Sequence, residues 1–288
     1  VEVAMKWRTG RRSSNVEDRR GLRPGGVALK GGGLGMLVMV LIALYLGVDP
    51  ALLLQTGLQE TPEPPVAPTP GVPREDPLAE FVAVVLGDTE DTWHALFEAA
   101  GRRYQAPRLV LFSDAVQSAC GRAGAAVGPF YCPADQKIHI DLAFYRDLRE
   151  RHAAPGDFAQ AYVIAHEVAH HVQNLLGIAE QVHQRRARAD PVTANRLQVR
   201  MELQADCLAG VWAHHADRAR GILEQGDIEE ALNAASAIGD DRLQHQAQGH
   251  VVPESFTHGS SAQRVRWFGL GIESGDFDSC DTFDAARL

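Results

Sequence analysis

The 288-residue chain is 45% apolar, enough for a sizeable core, and carries a net charge of −9. Its charge is uneven: residues 1–33 hold eight Lys or Arg against three acids, which leaves the remainder at −14. An acidic body of this kind excludes a basic nucleic-acid-binding surface, and no P-loop or dinucleotide fingerprint is present.

Taken in chain order, Val1–Ala4 read as an extension before Met5-Lys6-Trp7-Arg8, which has the form of a natural start. Residues 34–48, LGMLVMVLIALYLGV, form an uncharged apolar run that approaches the ~20 residues of a bilayer span when extended to Leu54. About thirty polar residues precede it and no small-x-small cleavage site follows, which argues against a signal peptide. The flanking cations argue against a core helix. Residues 34–54 are therefore expected to be a transmembrane anchor, with the basic segment 1–33 cytoplasmic and the rest outside. Between Thr61 and Pro77 seven prolines occur in 17 residues. Residues 55–77 thus read as an extended linker to a domain over 78–288.

Within that domain, Asp76 to Tyr104 reads as a helix with a break near Gly87-Asp88. Arg108–Phe112 and Lys137–Asp141 read as short strands, with His139 a strand-face residue between Ile138 and Ile140. All four cysteines, Cys120, Cys132, Cys207 and Cys280, follow the apolar run, as an oxidising compartment permits. The expected pairs are Cys120–Cys132, around a glycine-rich turn, and Cys207–Cys280.

A helix capped by Asp157 carries apolar residues at Phe158, Ala161, Tyr162, Ala165, Val168, Ala169 and Val172, and stops at Gly177. It contains His166-Glu167-Val168-Ala169-His170. Residues i and i+4 share a helix face, so both imidazoles can reach one metal ion, while Glu167 lies about 100° round the helix, beside it. A catalytic zinc keeps three protein ligands and an open position. The next helix, Pro191 to about His215 with Asp190 as N-cap, presents Glu202 and Asp206, again i and i+4. One can bind the metal while the other accepts a ring N–H from a ligand histidine. Glu180 is the rival third ligand. Further on, Asp227 caps a helix to about Gly239. His258, in a loop before a helix opened by Ser260 or Ser261, is the candidate donor to an oxyanion, with Tyr131 and Tyr162 as weaker alternatives. His171 points away from His170 and reads as a residue that packs in the core or supports a ligand from behind.

The two helices together resemble the gluzincins. That resemblance implies Glu202 as third ligand and Asp206 as the partner of a ligand histidine. More specifically, HEVAHHVQNLLG, ELQADCLAGVWAHHA, FTHGSSAQRVRWFGLG and SSNVEDRRG resemble the bacterial neutral zinc metallopeptidases, a membrane-anchored family, over nearly the whole chain. The resemblance implies an α+β, zincin-like domain, mostly helical with a small sheet, after one transmembrane helix. It implies Zn2+ as cofactor, a peptide or protein substrate, and endopeptidase activity with Glu167 as general base. In zincins a strand upstream of the motif helix walls the cleft; here Gly128–Cys132 and Lys137–Asp141 are the candidates. The alternative is a catalytically silent zinc-bearing domain that acts as an envelope protein-binding adaptor, and a third reading is a zinc hydrolase of non-peptide substrates.

Overall fold

A computed structural model describes residues 5–20, 69–70, 76–124, 127–151 and 154–288. The expected span 34–54 and most of the linker 55–77 lie outside the described residues. Among those described, no helix is long and apolar enough to cross a membrane.

The domain is α+β and mostly helical. Its sheet has the order β2-β1-β3-β7-β6, from β1 (Val16–Asp18), β2 (Thr69–Pro70), β3 (Arg108–Phe112), β6 (Phe130–Cys132) and β7 (Lys137–Asp141). β1 and β7 flank β3 in parallel, whereas β2 and β6 run antiparallel at the edges. A separate hairpin joins β4 (Ala115–Ser118) to β5 (Gly121–Gly124). Covered on both faces, β3 reads as a continuous apolar run: Leu109 and Leu111 enter the main core, Val110 and Phe112 a smaller cluster.

The described residues form eight α-helices: α1 (Pro77–Ala99), α2 (Ala143–Glu150), α3 (Asp157–Leu175), α4 (Ile178–Arg186), α5 (Pro191–Arg220), α6 (Asp227–Ala237), α7 (Asp240–Gln248) and α8 (Ser261–Ser274). Caps account for several boundaries. The Asp76 carboxylate accepts from Leu78 and Ala79 N–H, and that of Asp190 from Thr193 N–H, each before a proline at the first helical position. Ser260 and Gln263 form a capping box. Two caps differ from expectation. Asp157 and Asp227 are the first residues of their helices, and the caps are Gly156 and Gly226, both at positive φ.

α1 runs unbroken through Gly87. A Cβ there would stand 2.4 Å from the Arg11 carbonyl oxygen. The glycine serves a close approach, and its partner is the N-terminal segment. Ser13 N–H donates to Ala83 O at 2.8 Å, Trp7 packs edge-on against Phe81, and Ser13 and Asn15 side chains both donate to Glu90. In the Asn15–Arg20 stretch, Glu17 accepts from Lys137, Arg19 and Arg108. Burial pushes its carboxyl up, but those three partners outweigh it and bring it down to about 2. Arg20 bridges Asp18 and Asp76.

These contacts tie the start of the chain to the rest of the described residues. Residues 5–20 are part of the same compact body as residues 76–288. A single crossing at 34–54 would leave β1 and β3 on opposite faces of a bilayer, where they could not hydrogen-bond.

α5 and α8 pack backbone to backbone. A Cβ on Gly210 would meet Phe268 O at 2.3 Å, and one on Gly271 would meet Cys207 O at 1.9 Å. Cys207 and Cys280 are bonded beside this contact, and Cys120 is bonded to Cys132 of β6. Gly271→Ala is expected to force α8 off α5 and cost about 1–3 kcal/mol, the range for overpacking a tight contact. Urea denaturation with an unchanged midpoint would rule that out.

Candidate metal centre and cleft

α3 buries Phe158, Ala161, Tyr162, Ala165, Val168, Ala169 and Val172 in the core. That fixes its rotation and turns His166 and His170 towards α5. There Glu202 Oε2 lies 3.2 Å from His166 Nε2 and 3.2 Å from His170 Nε2. Ligand atoms about 2.0–2.1 Å from a tetrahedral metal stand about 3.3 Å apart, so the spacing fits one ion. The outer hydrogen bonds add a chemical test. His166 Nδ1 is 2.8 Å from Asp206 Oδ1, and His170 Nδ1 is 2.9 Å from Gln173 Oε1. A ring N–H donated to each of these oxygens leaves both Nε2 lone pairs facing the Glu202 carboxylate. Three acceptors pointed at one another need a cation between them. The residues present therefore fit a zinc ion.

Each candidate ligand is held from behind. Gln198 Nε2 donates to Glu202 Oε1 at 2.6 Å, leaving Oε2 for the centre. The Gln173 amide donates to Met201 O and Gln204 Oε1. Asp206 is fully buried and accepts four contacts in all: Tyr162 Oη at 2.5 Å, Arg264 Nη2 and Nε at 2.9 Å each, and the His166 ring. Burial pushes its carboxyl up, but Arg264 and His166 outweigh this and hold it near about 2. Glu202 likewise stays ionised: burial opposes the charge, and the His170 and His166 rings overcome it. Burial depresses His166, yet Asp206 and Glu202 lift it to about 9, a proton that a metal ion would displace.

The centre lines a cleft of about 520 Å3, together with Glu167, Phe130, Tyr131, Leu243 and His258. Of the two candidate wall strands, Lys137–Asp141 lies between β3 and β6, so its edges are taken, whereas β6 is an edge strand. Glu167 is buried to about the same degree as His166 and Glu202, at 8% exposure, and opens onto the cleft, whereas His170 is somewhat more exposed.

The remaining candidates separate cleanly. His258 reaches the cleft, with its side chain half exposed, its backbone N–H 2.6 Å from Asp240 Oδ2 and its Nδ1 3.2 Å from Asp240 Oδ1. Tyr131 hydroxyl is engaged with His171 Nδ1 at 3.0 Å, and Tyr162 with Asp206. His171 is fully buried, its other nitrogen 2.6 Å from Gln105 O. His139 stacks on Phe130. Glu180 sits exposed on α4, bonded to Gln184, away from the centre. Sequence reasoning missed Gln173, Gln198 and Arg264. The two glutamines stand three and four residues from a ligand, a spacing that could have flagged them. Arg264 has no local signal, because it reaches Asp206 only through the packing of α8 on α5.

Comparison with known proteins agrees with this geometry. The family described as "Putative neutral zinc metallopeptidase" matches residues 5–283. "Uncharacterized protein YpfJ" of Escherichia coli K12 is 51% identical over 290 residues, covering 97% of this chain and 99% of its own. "Uncharacterized protein Rv2575" of Mycobacterium tuberculosis H37Rv is 42% identical over 259 residues, covering 85% and 86%. No solved structure matches the chain. The match spans the N-terminal strand, the histidine helix and the two helices behind it, and the chain belongs to this neutral zinc metallopeptidase family.

Proposed function

We propose that the protein is a zinc-dependent endopeptidase that acts on extended peptide segments at the outer face of a bacterial cell membrane. One observation carries the reading: two imidazole lone pairs and a carboxylate converge at 3.2 Å in a cleft, with Glu167 beside them. Zinc held by His166, His170 and Glu202 would supply a Lewis acid for the scissile carbonyl and acidify a bound water. Glu167 takes the proton of the attacking water and delivers it to the leaving amine. His258, held by Asp240, donates to the oxygen that gains charge as the carbonyl becomes tetrahedral. The free edge of β6 pairs with the substrate backbone, in the manner of strand addition. Asp206, locked by Arg264 and Tyr162, keeps the His166 ring in register.

Zinc analysis and a peptide-library digest of the full chain test this, since residues 5–20 complete the sheet. Glu167→Gln should retain zinc and lose hydrolysis by about 10²–10⁴-fold. Zinc retained with no Glu167-dependent cleavage would move the assignment to an adaptor. Asp206→Asn should weaken zinc binding by about 10–100-fold in chelator competition, and an unchanged affinity would remove it from the support of His166.

The outer location rests on four paired cysteines and the apolar stretch 34–54. In this reading that stretch attaches the chain to the membrane without carrying it across between β1 and α1. Ser14 and Arg103 are both exposed. Cysteines placed at either position should react with an impermeant maleimide added to intact cells. Reaction at one and not the other would overturn the shared side, and reaction at neither would overturn the outer location.

A further inference from the structure

We propose, on the zinc reading above, that the segment fastened by the Cys207–Cys280 disulfide is a positioning element of the zinc site, acting on His170 through Gln204 and Gln173. Arg200, Gln204 and Cys207 stand at i, i+4 and i+7 of α5 and form one stripe, apart from the face that carries Glu202 and Asp206. The end of the short 3-10 turn Phe277–Cys280 and the residues after it lie along that stripe. Cys280 is bonded to Cys207, and its carbonyl accepts from Gln204 Nε2 at 3.1 Å. Thr282 exchanges hydrogen bonds with Arg200: its hydroxyl donates to Arg200 O at 2.5 Å, and its carbonyl accepts from the guanidinium. Gln173, Gln204, Cys207, Cys280 and Thr282 are all buried.

A backbone carbonyl can only accept, and this sets the sense of every bond from Cys280 to the ligand histidine. Facing Cys280 O, Gln204 must present its NH2 group, which turns its Oε1 to Gln173 at 3.0 Å. Gln173 must then present its own NH2 group. One hydrogen goes to Gln204 Oε1 and the other to Met201 O at 2.7 Å. Its Oε1 is left to His170 Nδ1 at 2.9 Å, so the proton of the neutral ring sits on Nδ1 and the Nε2 lone pair faces Glu202. Turning the Gln204 amide over would set oxygen against oxygen at Cys280 and NH2 against NH2 at Gln173. Buried amides without partners are costly, so the chain of bonds favours the tautomer that a zinc ligand needs.

The two zinc histidines are supported differently. His166 has an ionised acceptor behind it, Asp206, which Arg264 locks in place. Behind His170 stand only neutral amides, so its orientation depends on how firmly the far end of their chain is held. Met201 O holds Gln173 from within α5, and Cys280 O holds it through Gln204 from outside that helix. Cys207 and Cys280 are 73 residues apart in sequence, and their disulfide is the covalent link that keeps the Cys280 carbonyl over Gln204. Opening it frees that carbonyl to withdraw and Gln204 to turn. Zinc is therefore held most tightly while the bond is closed.

Chelator competition for zinc on the full chain tests this with Gln204→Met, which keeps the length of the side chain without its hydrogen bonds, with Cys207→Ala plus Cys280→Ala, and with all three changes together. Each of the first two should weaken zinc binding by about tenfold, the low end for losing support behind a ligand histidine. The combined variant should be no weaker than either, because both changes break one chain. In the zinc-loaded protein the His170 Nδ1 proton, followed by NMR, should exchange with water faster in every variant than in the wild type. Unchanged affinity in Gln204→Met, or losses that multiply in the combined variant, would overturn the positioning role. Serine at both cysteines replaces alanine should that pair fail to fold, and Gln204→Met, which leaves the disulfide intact, decides the relay in either case. A wild-type chain that binds no zinc would instead overturn the zinc reading, and the positioning role with it.

Discussion

Asp206 is the junction on which the half of the domain around the candidate metal centre depends. Its buried charge touches α3 through His166 and Tyr162, and α8 through Arg264, while it sits on α5 itself. A carboxylate removed from water is tolerable only when paired and fully hydrogen-bonded. Here the pairing does two tasks at once. Arg264 keeps Asp206 ionised, and Asp206 keeps the His166 ring oriented for a metal. The relative position of three helices is thereby coupled to the position of one imidazole nitrogen. The close contact at Gly210 and Gly271 is the mechanical side of the same arrangement, since it brings α8 near enough for the guanidinium to span the gap.

How much of this was legible in the sequence follows the range of the interaction involved. His166, His170, Glu202 and Asp206 were legible because i, i+4 spacing within a helix is local, and helix periodicity fixes the face. β3 and β7 were legible from short apolar runs. Gln173 and Gln198 obey the same local rule, yet glutamine is common on helices and carries no metal signal of its own. Arg264 could not be read, because its partner is chosen by tertiary approach.

The partners of the described N-terminal cations were hidden for a related reason. These cations looked like the flank of a membrane span, but inside the fold they meet acids far along the chain. Arg11 pairs with Glu90 and Asp91, Arg12 with Glu80, Arg20 with Asp76, and Arg8 lies over Trp7. Charge counting cannot distinguish a cation awaiting lipid headgroups from one awaiting a carboxylate some seventy residues later. Gly87 was misread in the same way: a helix glycine looks like a break until the backbone that lies against it is known.

The pairing of Val16 with Leu109 also sets an order of events during synthesis. At about 5–20 residues per second, β1 must wait roughly 5–20 s on the ribosome before its partner strand exists. During that interval Met5, Trp7 and Val16 have no core to enter, and the parallel ladder must close across a long loop. The sheet is therefore completed late, by the part of the chain made first.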